Sequence, residues 1–312
     1  MPNTDHNSIA PPHTTSAQAT PSTWRKIFKL SRPRFWMYVF GPYIVGLVSG
    51  AAHYSQLQTP LIVLFGLYFL FPANILIYGI NDIFDYETDK DNAKKIEYET
   101  LVPPDERASL WRIVLLFNAP FLLLTQVNQH AVASMAAFLF FSVFYSAPPI
   151  RAKTKPIVDS AFNILYVLPG IFGYFVAGGT QLNGALVLAA WCWAMAMHAY
   201  SAVPDITADR QNGLNTVATY MGFYGTLVFC TLLYVASAML SFRVLGRLSP
   251  LLAIVYLFLM HRSVASETEE GVLRIYKVFP LVNTLCGAAI FWAIALSKWA
   301  PPAVLQFLQM SR

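Results

Sequence analysis

The amino-acid sequence predicts an all-α fold, a polytopic membrane bundle of about nine transmembrane helices around a central cavity. Of the 312 residues, 56% are hydrophobic and only 12% are charged, whereas a soluble domain carries roughly 25% charged residues. Apolar blocks of about 20 residues, long enough to cross a bilayer, recur along the chain. Basic residues gather in every second connection between these blocks. These observations exclude a water-soluble enzyme of ordinary composition.

The chain divides into a tail and one membrane domain. Residues 1–23 are rich in Pro, Ser, Thr and Asn, so they are predicted to be disordered. Residues 24–312 are predicted to form a single transmembrane domain. Its apolar blocks predict helices at 34–52, 60–82, 110–127, 131–146, 157–178, 184–203, 217–241, 248–262 and 278–297.

The distribution of positive charge predicts the orientation of the bundle. Only four of the 21 Lys and Arg residues lie on one side, and they are Arg243, Arg247, Lys298 and Arg312. The others lie in the N-terminal segment and in the connections after helices 2, 4, 6 and 8. By the positive-inside rule, the N-terminus and these loops are expected to be cytoplasmic, in the cell inner membrane. Because the basic residues flank apolar blocks, they indicate contact with membrane lipids and no nucleic-acid partner.

Two acidic motifs end the second and sixth predicted helices, so both lie on the same membrane side. Successive helical residues are about 100° apart, so the three carboxylates of NDIFDYETD fall on one face. The two carboxylates of DITAD are one turn apart. Carboxylates at a membrane boundary are costly and usually functional. The motif residues are Asn81, Asp82, Asp85, Asp89, Asp205 and Asp209.

Grouped carboxylates and a neighbouring basic loop predict a magnesium-bound diphosphate as the ligand. Mg²⁺ prefers oxygen ligands and shares its positions with phosphate oxygens, so all five Asp residues are predicted metal ligands. The connection YSAPPIRAKTK supplies three cations that bind a departing diphosphate; these are Arg151, Lys153 and Lys155. Catalysis is assigned to Asp82, Asp85, Asp205, Asp209 and Arg151.

The rest of the ligand is expected to be a polyisoprenoid chain and a lipophilic acceptor. The bundle contains 23 Phe, 16 Tyr and 7 Trp, and aromatic walls suit an apolar ligand and shelter a carbocation. Tyr78, Tyr145 and Tyr200 lie near the motifs and are candidate substrate-binding residues, together with Asn81.

Taken together, NDxxDxxxD, YSxPPxRxK and DxxxD resemble the motifs of the UbiA superfamily of intramembrane prenyltransferases, over about residues 24–297. The resemblance implies nine helices around a cavity open to lipid, and a prenyl diphosphate held through Mg²⁺ by the two Asp-rich motifs. The stretches YGINDIFDYETD and VPDITADRQNGLNTVATYMG are most similar to the lycopene elongase branch, which adds five-carbon units to a carotenoid. The loop KDNAKKIEYETLVPPDERASLW departs from the Arg-Pro-Leu-Pro-Ser-Gly-like stretch of the quinone and chlorophyll branches.

Two other functions stay open from the sequence. One is prenyl transfer to an aromatic quinone precursor, which changes only the acceptor. The other is a membrane cation transporter, in which the carboxylates would form an ion pathway. A transporter is expected to place acidic residues at the bilayer midplane, whereas the acidic residues of this sequence lie at helix ends beside a basic loop.

Several further residues have structural interpretations. Gly41, Gly46 and Gly50 are predicted to allow close helix packing. Asp159 is expected either to complement a helix N-terminus or to support the site. His198 is expected to hydrogen-bond between helices.

Overall fold

The computed structural model describes residues 23–89, 102–124 and 128–300. Within these ranges every regular element is helical, which confirms the all-α class. The α-helices are α1 (Thr23–Leu30), α2 (Met37–Gly50), α3 (Pro60–Leu70), α4 (Pro72–Asp89), α5 (Arg107–Leu124), α6 (Gln129–Ser146), α7 (Val158–Ala161), α8 (Leu168–Val176), α9 (Gly184–Ala202), α10 (Ile206–Gln211), α11 (Val217–Leu245), α12 (Leu248–Val264), α13 (Glu269–Tyr276) and α14 (Phe279–Trp299). The predicted disordered tail, 1–23, lies outside the described residues except for Thr23. The single domain over 24–312 stays a prediction.

Seven described segments are long and apolar enough to cross a bilayer. They are Pro60–Tyr86, Pro104–Leu124, Gln129–Ser146, Val158–Val176, Gly184–Gln211, Val217–Leu245 and Phe279–Trp299. Two shorter apolar helices, α2 with 14 residues and α12 with 17, occupy the positions of the first and eighth predicted spans. The chain is therefore an integral, multi-pass membrane protein, and the number nine stays a prediction.

The second predicted helix, 60–82, is two helices in the structure. Phe71 leaves the helical region with φ −126° and ψ −63°, because the ring of the following Pro72 disfavours helical backbone at the preceding residue. The new helix α4 then continues to Asp89, so the first acidic motif is helical throughout. The fifth predicted helix is also interrupted, by the 3₁₀ turn Phe162–Tyr166 between α7 and α8.

Helices α2 and α8 pack closely through glycine. A Cβ atom on Gly46 would lie 1.9 Å from the carbonyl oxygen of Gly170, and one on Gly50 would lie 2.1 Å from that of Tyr174. Small residues let two membrane helices approach to backbone contact, so the prediction for Gly46 and Gly50 is confirmed. It is wrong for Gly41, where an added Cβ would meet only Met37 at 4.0 Å, because this position borders open space.

That open space is a cavity of about 800 Å³ between α2, α8, α9, α11, α12 and α14. Its lining is mostly aliphatic and aromatic. It extends from Tyr38 and Tyr166 at one end to Ser49 and Lys298 at the other. At a rise of 1.5 Å per residue, the stretch of α2 from Met37 to Ser49 gives the cavity a length of about 18 Å.

Candidate active site

The first acidic motif is buried beside an arginine from the N-terminal segment. Asp82 is 8% exposed, and its Oδ1 accepts a hydrogen bond from Arg32 Nη2 at 2.7 Å. Arg32 follows α1 with a left-handed backbone, φ 48°. The Arg32 guanidinium also lies over the ring of Tyr78, 4.6 Å from its centroid. The sequence predicted Asp82 and Tyr78 for the site, whereas Arg32 was taken only as a topology signal.

Asp85 is paired with the basic loop. It is fully buried, forms an ion pair with Lys153 Nζ, and lies with its Oδ1 3.8 Å from Arg151 Nη2. Because charge is costly to bury without compensation, these neighbouring cations offset the burial of the carboxylate. The structure thus brings Asp85, Arg151 and Lys153 together as the sequence predicts. The side chain of Lys155 is exposed, and its assignment to substrate binding stays a prediction.

Polar contacts fix α6 beside the first motif. Asn81 Oδ1 accepts a hydrogen bond from Ser146 Oγ at 3.0 Å. The adjacent Tyr145 hydroxyl lies 3.4 Å from Nε2 of His198 on α9. The same His198 nitrogen lies 3.7 Å from Oδ2 of Asp159. His198 therefore bridges α6, α9 and the start of α7, which agrees with the expected interhelical role.

Asp159 connects this network to the second motif's side of the bundle. Its Oδ1 accepts from the backbone N–H of Ser160 at 2.7 Å, and its Oδ2 accepts from that of Val217 at 2.7 Å. Val217 begins α11, so a buried carboxylate from α7 complements the positive end of another helix. The expected helix-end role is therefore met at the start of α11, a different helix from the one that Asp159 opens, and its supporting role in the site stays a prediction.

The second motif faces the same region. Asp205 ends the 3₁₀ turn Val203–Asp205, Asp209 lies on α10, and both are half-buried. Tyr145 lies within electrostatic reach of Asp209 as well as of Asp85. Both motifs therefore lie in the neighbourhood of Tyr145.

Tyr276 also lies near the second motif. It lies within reach of Asp205 and of Arg34, and burial raises its phenol pKa despite the neighbouring Arg34. Tyr276 accordingly stays protonated and able to donate a hydrogen bond. This residue was not predicted, since an isolated Tyr in a loop-and-helix segment carries no distinguishing signal.

Two predicted residues have other surroundings. Tyr200 is fully buried; its hydroxyl hydrogen-bonds with Ser263 Oγ at 2.8 Å, and its ring packs on Phe279 with centroids 4.9 Å apart. Its assignment to substrate binding stays a prediction. For Asp89, only the backbone is described, as the last residue of α4.

The site meets the requirements of a magnesium-bound phosphate ligand. Within the described ranges no three Asp, Glu, His or Cys side chains could hold a metal by themselves. Mg²⁺ does not need such a cage, because it is usually bound through one or two carboxylates together with substrate phosphates and water. Asp82 and Asp85 from one motif and Asp205 and Asp209 from the other supply carboxylates of the kind that this mode of binding uses.

Fold and site together define a class: a multi-pass membrane protein with paired acids and bases at one end of a lipophilic cavity. Residues 39–268 match the model of the UbiA prenyltransferase family. The chain is similar to the lycopene elongase/hydratase of Haloarcula japonica, with 37% identity over 86% of this chain and 90% of the relative. It is 39% identical to the lycopene elongase/hydratase of Halobacterium salinarum, over 85% of this chain and 94% of the relative.

A solved structure has the same fold. The chain superimposes on a UbiA homolog from Archaeoglobus fulgidus bound to GPP and Mg²⁺ with a TM-score of 0.64 and 20% identity, covering 85% of this chain and 99% of that one. The chain belongs to the UbiA prenyltransferase family.

Proposed function

We propose that this protein transfers a prenyl group from an allylic diphosphate to the end of a carotenoid such as lycopene, with Mg²⁺ as cofactor. The observation that carries the proposal is the buried Asp85 beside Arg151 and Lys153, on the side of the bundle where the 800 Å³ cavity begins. An anionic headgroup fits the charged end, and a hydrocarbon chain fits the cavity. The lycopene elongase/hydratases at 37% and 39% identity support the carotenoid acceptor.

The reaction begins with breakage of the allylic C–O bond. The diphosphate departs with the bonding electrons, and Arg151 and Lys153 bind it as its negative charge grows. Both are held beside Asp85 before the ligand arrives, so little reorganisation is needed. Asn81, fixed by Ser146 at 3.0 Å, supplies a further polar contact at this headgroup.

Mg²⁺ is assigned to the acidic motifs, with Asp82, Asp85, Asp89, Asp205 and Asp209 as its candidate ligands. When bound, it neutralises negative charge on the leaving diphosphate. Arg32 and Lys153 compensate the carboxylates of the first motif until then.

The allylic cation is attacked by a terminal double bond of the acceptor, which forms the new C–C bond. The cation left on the acceptor then loses a proton to the released diphosphate, which gives a new double bond. Aromatic faces next to the headgroup stabilise positive charge during these steps. Tyr78 and Tyr145 are the nearest candidates, and the apolar cavity excludes bulk water from the cation.

The proposed location is the cell inner membrane, with the N-terminus and both acidic motifs on the cytoplasmic side. The bias of Lys and Arg towards these loops supports it. Two single-cysteine variants would test it in intact cells: Lys155→Cys next to the site and Asn183→Cys at the opposite end, both exposed. A membrane-impermeant thiol reagent is expected to label Asn183→Cys only, and labelling of Lys155→Cys alone would reverse the orientation.

Purified protein in liposomes tests the activity. It is incubated with Mg²⁺ and dimethylallyl diphosphate, and with either lycopene or 4-hydroxybenzoate. We expect lycopene to gain five-carbon units, detected by mass spectrometry. Prenylated 4-hydroxybenzoate in place of prenylated lycopene would transfer the assignment to an aromatic acceptor.

A matched pair of variants tests the site. Asp85→Asn is expected to lower prenyl transfer by about 100-fold, as loss of a charge-stabilising group does. Asp105→Asn removes an exposed carboxylate in the 3₁₀ turn Pro104–Glu106, which precedes α5, and should retain wild-type turnover. Equal activity of both variants would refute the role of Asp85.

A further inference from the structure

Helix α1 has one buried face and two exposed faces. Its buried residues, Ile27 and Leu30, are 7% and 5% exposed, on the side of the helix that packs against α4. The second face carries two exposed aromatic rings, and the third carries two exposed basic side chains. Successive helical residues are about 100° apart, so residues at i and i+4 share a face. The two exposed pairs are Trp24 with Phe28 and Arg25 with Lys29.

Contacts with α5 show which face of α1 points into the membrane. The Trp24 ring lies 6.3 Å from the Phe117 ring, measured between centroids. Phe117 follows Arg107, the first residue of this apolar span, by ten residues, or about 15 Å along the helix axis. Lys26 instead reaches the beginning of the span, where its Nζ lies 3.2 Å from Oε1 of Glu106. The aromatic face of α1 therefore points towards the hydrocarbon core, and the opposite side points towards water.

The basic face of α1 points away from the protein. Arg25 and Lys29 lie roughly opposite the buried face on the helix circumference, and both side chains are exposed. Basic residues beside aromatic rings that point into the bilayer are typical of a helix that lies in the membrane interface. Because such residues are attracted to negatively charged lipid headgroups, the two cations favour an anionic phospholipid over a lipid without net charge.

The end of α1 is connected to the candidate active site. The backbone N–H of Arg32 donates to the carbonyl oxygen of Lys29 at 3.0 Å, and the Arg32 side chain donates to Asp82 at 2.7 Å. Trp36 Nε1 donates to the carbonyl oxygen of Ser31 at 3.0 Å, which closes the turn around Arg32. A shift of α1 therefore moves the arginine that compensates the first acidic motif.

We propose that the basic face of α1 binds anionic phospholipids of the adjacent leaflet, and that this contact holds Arg32 against Asp82. Arg25 and Lys29 contact the lipid phosphate groups, while the aromatic face inserts below the headgroups. The lipid bound here is neither the prenyl donor nor the acceptor, so the proposal goes beyond the proposed function and does not depend on it.

Hydrogen exchange measured by mass spectrometry tests the lipid contact without any turnover. The full-length protein is reconstituted in liposomes of phosphatidylcholine, with or without phosphatidylglycerol. We expect the amides of residues 25–32 to exchange about 25-fold more slowly with phosphatidylglycerol, since each basic residue near an anionic surface strengthens binding about fivefold. Equal exchange in both kinds of liposome would overturn the proposal. Slower exchange over 25–30 with an unchanged Arg32 amide would overturn the link to Asp82.

Matched variants identify the residues that bind the lipid. Arg25→Gln/Lys29→Gln removes the basic face and should exchange equally fast in both kinds of liposome. Arg262→Gln/Lys277→Gln is the control, because it removes two exposed cations from loops predicted on the same membrane side. The control should keep the wild-type slowing over residues 25–32. If the Arg25→Gln/Lys29→Gln variant also kept it, the assigned phosphate contact would be wrong.

A prenyl diphosphate is the other phosphate compound that this face meets in the membrane. Dimethylallyl diphosphate added to phosphatidylcholine liposomes without Mg²⁺ is expected to leave exchange over residues 25–30 unchanged. Slowing equal to that caused by phosphatidylglycerol would overturn the lipid assignment and make the basic face part of the donor site.

Discussion

Replacing Gly46 by alanine is expected to separate α2 from α8. The added methyl carbon would lie 1.9 Å from the carbonyl oxygen of Gly170, and an ordinary contact of about 3.3 Å requires the helices to move apart by about 1.4 Å. The new Cβ atom is fixed to the backbone of α2 and the Gly170 oxygen belongs to the backbone of α8, so no side-chain rotation can relieve the overlap. Overpacking of this kind costs about 1–3 kcal/mol. Because Gly46 and Gly170 also line the cavity, the same movement reshapes the acceptor site.

Thermal unfolding in detergent micelles measures the effect. Gly46→Ala should lower the melting temperature by about 5 °C, on the scale of a few degrees per kcal/mol. Gly41→Ala on the same helix is the control, since its new methyl group would meet only Met37 at 4.0 Å. Prenyl transfer should fall in Gly46→Ala more than in Gly41→Ala. If the two variants melted at the same temperature, the packing argument for α2 and α8 would be refuted.

Three further predictions concern charged contacts. Lys153→Met removes the cation paired with the buried Asp85, which costs about 3–5 kcal/mol of stability. Mg²⁺ should therefore raise the melting temperature of this variant more than that of the wild type. An equal rise would argue against Asp85 as a metal ligand. Asp159→Ala removes the acceptors of two backbone hydrogen bonds, each worth about 1.5–3 kcal/mol with a charged partner. In chemical unfolding, this variant should lose more unfolding free energy than Asp159→Asn. Equal losses of unfolding free energy would contradict this prediction. Lys298 donates to the carbonyl oxygens of Val48, Ser49 and Ala51 at 2.9, 2.6 and 2.9 Å. Lys298→Met should therefore destabilise the C-terminal end of α2, which is measured as faster amide hydrogen exchange there. Unchanged exchange would disprove the capping role of Lys298.

The membrane spans were predictable because each one is a block of about 20 residues, over which the apolar character of the sequence is clear. The helix breaks were not, since they depend on local backbone conformation. Phe71 sits in the middle of an apolar run, and its departure from helical geometry is signalled only by the proline that follows. Helix α1 was missed for a different reason: eight residues with three basic side chains do not resemble a span, although such a helix suits a membrane surface.

The acidic residues became candidates for the site because of their spacing on helix faces. Arg151 and Lys153 were predictable from their place on the same membrane side. Arg32 was not, because its contact with Asp82 spans 50 residues of sequence. The left-handed backbone that positions Arg32 could not be predicted, because arginine is not a residue type that indicates this conformation. Positive charge near the first helix is expected in any membrane protein with this orientation.

The charge balance of the site explains why a protein can hold so many ionised groups at the edge of a bilayer. Asp82 pairs with Arg32, and Asp85 pairs with Lys153 and lies close to Arg151. A magnesium-bound diphosphate brings positive and negative charge of similar size, so its arrival exchanges partners without a large change in net charge. Removal of one partner leaves a buried charge alone, which is far more costly than removal of a pair. A double variant of Asp85 and Lys153 should therefore be more stable than either single variant, although it lacks two of the groups assigned to the headgroup.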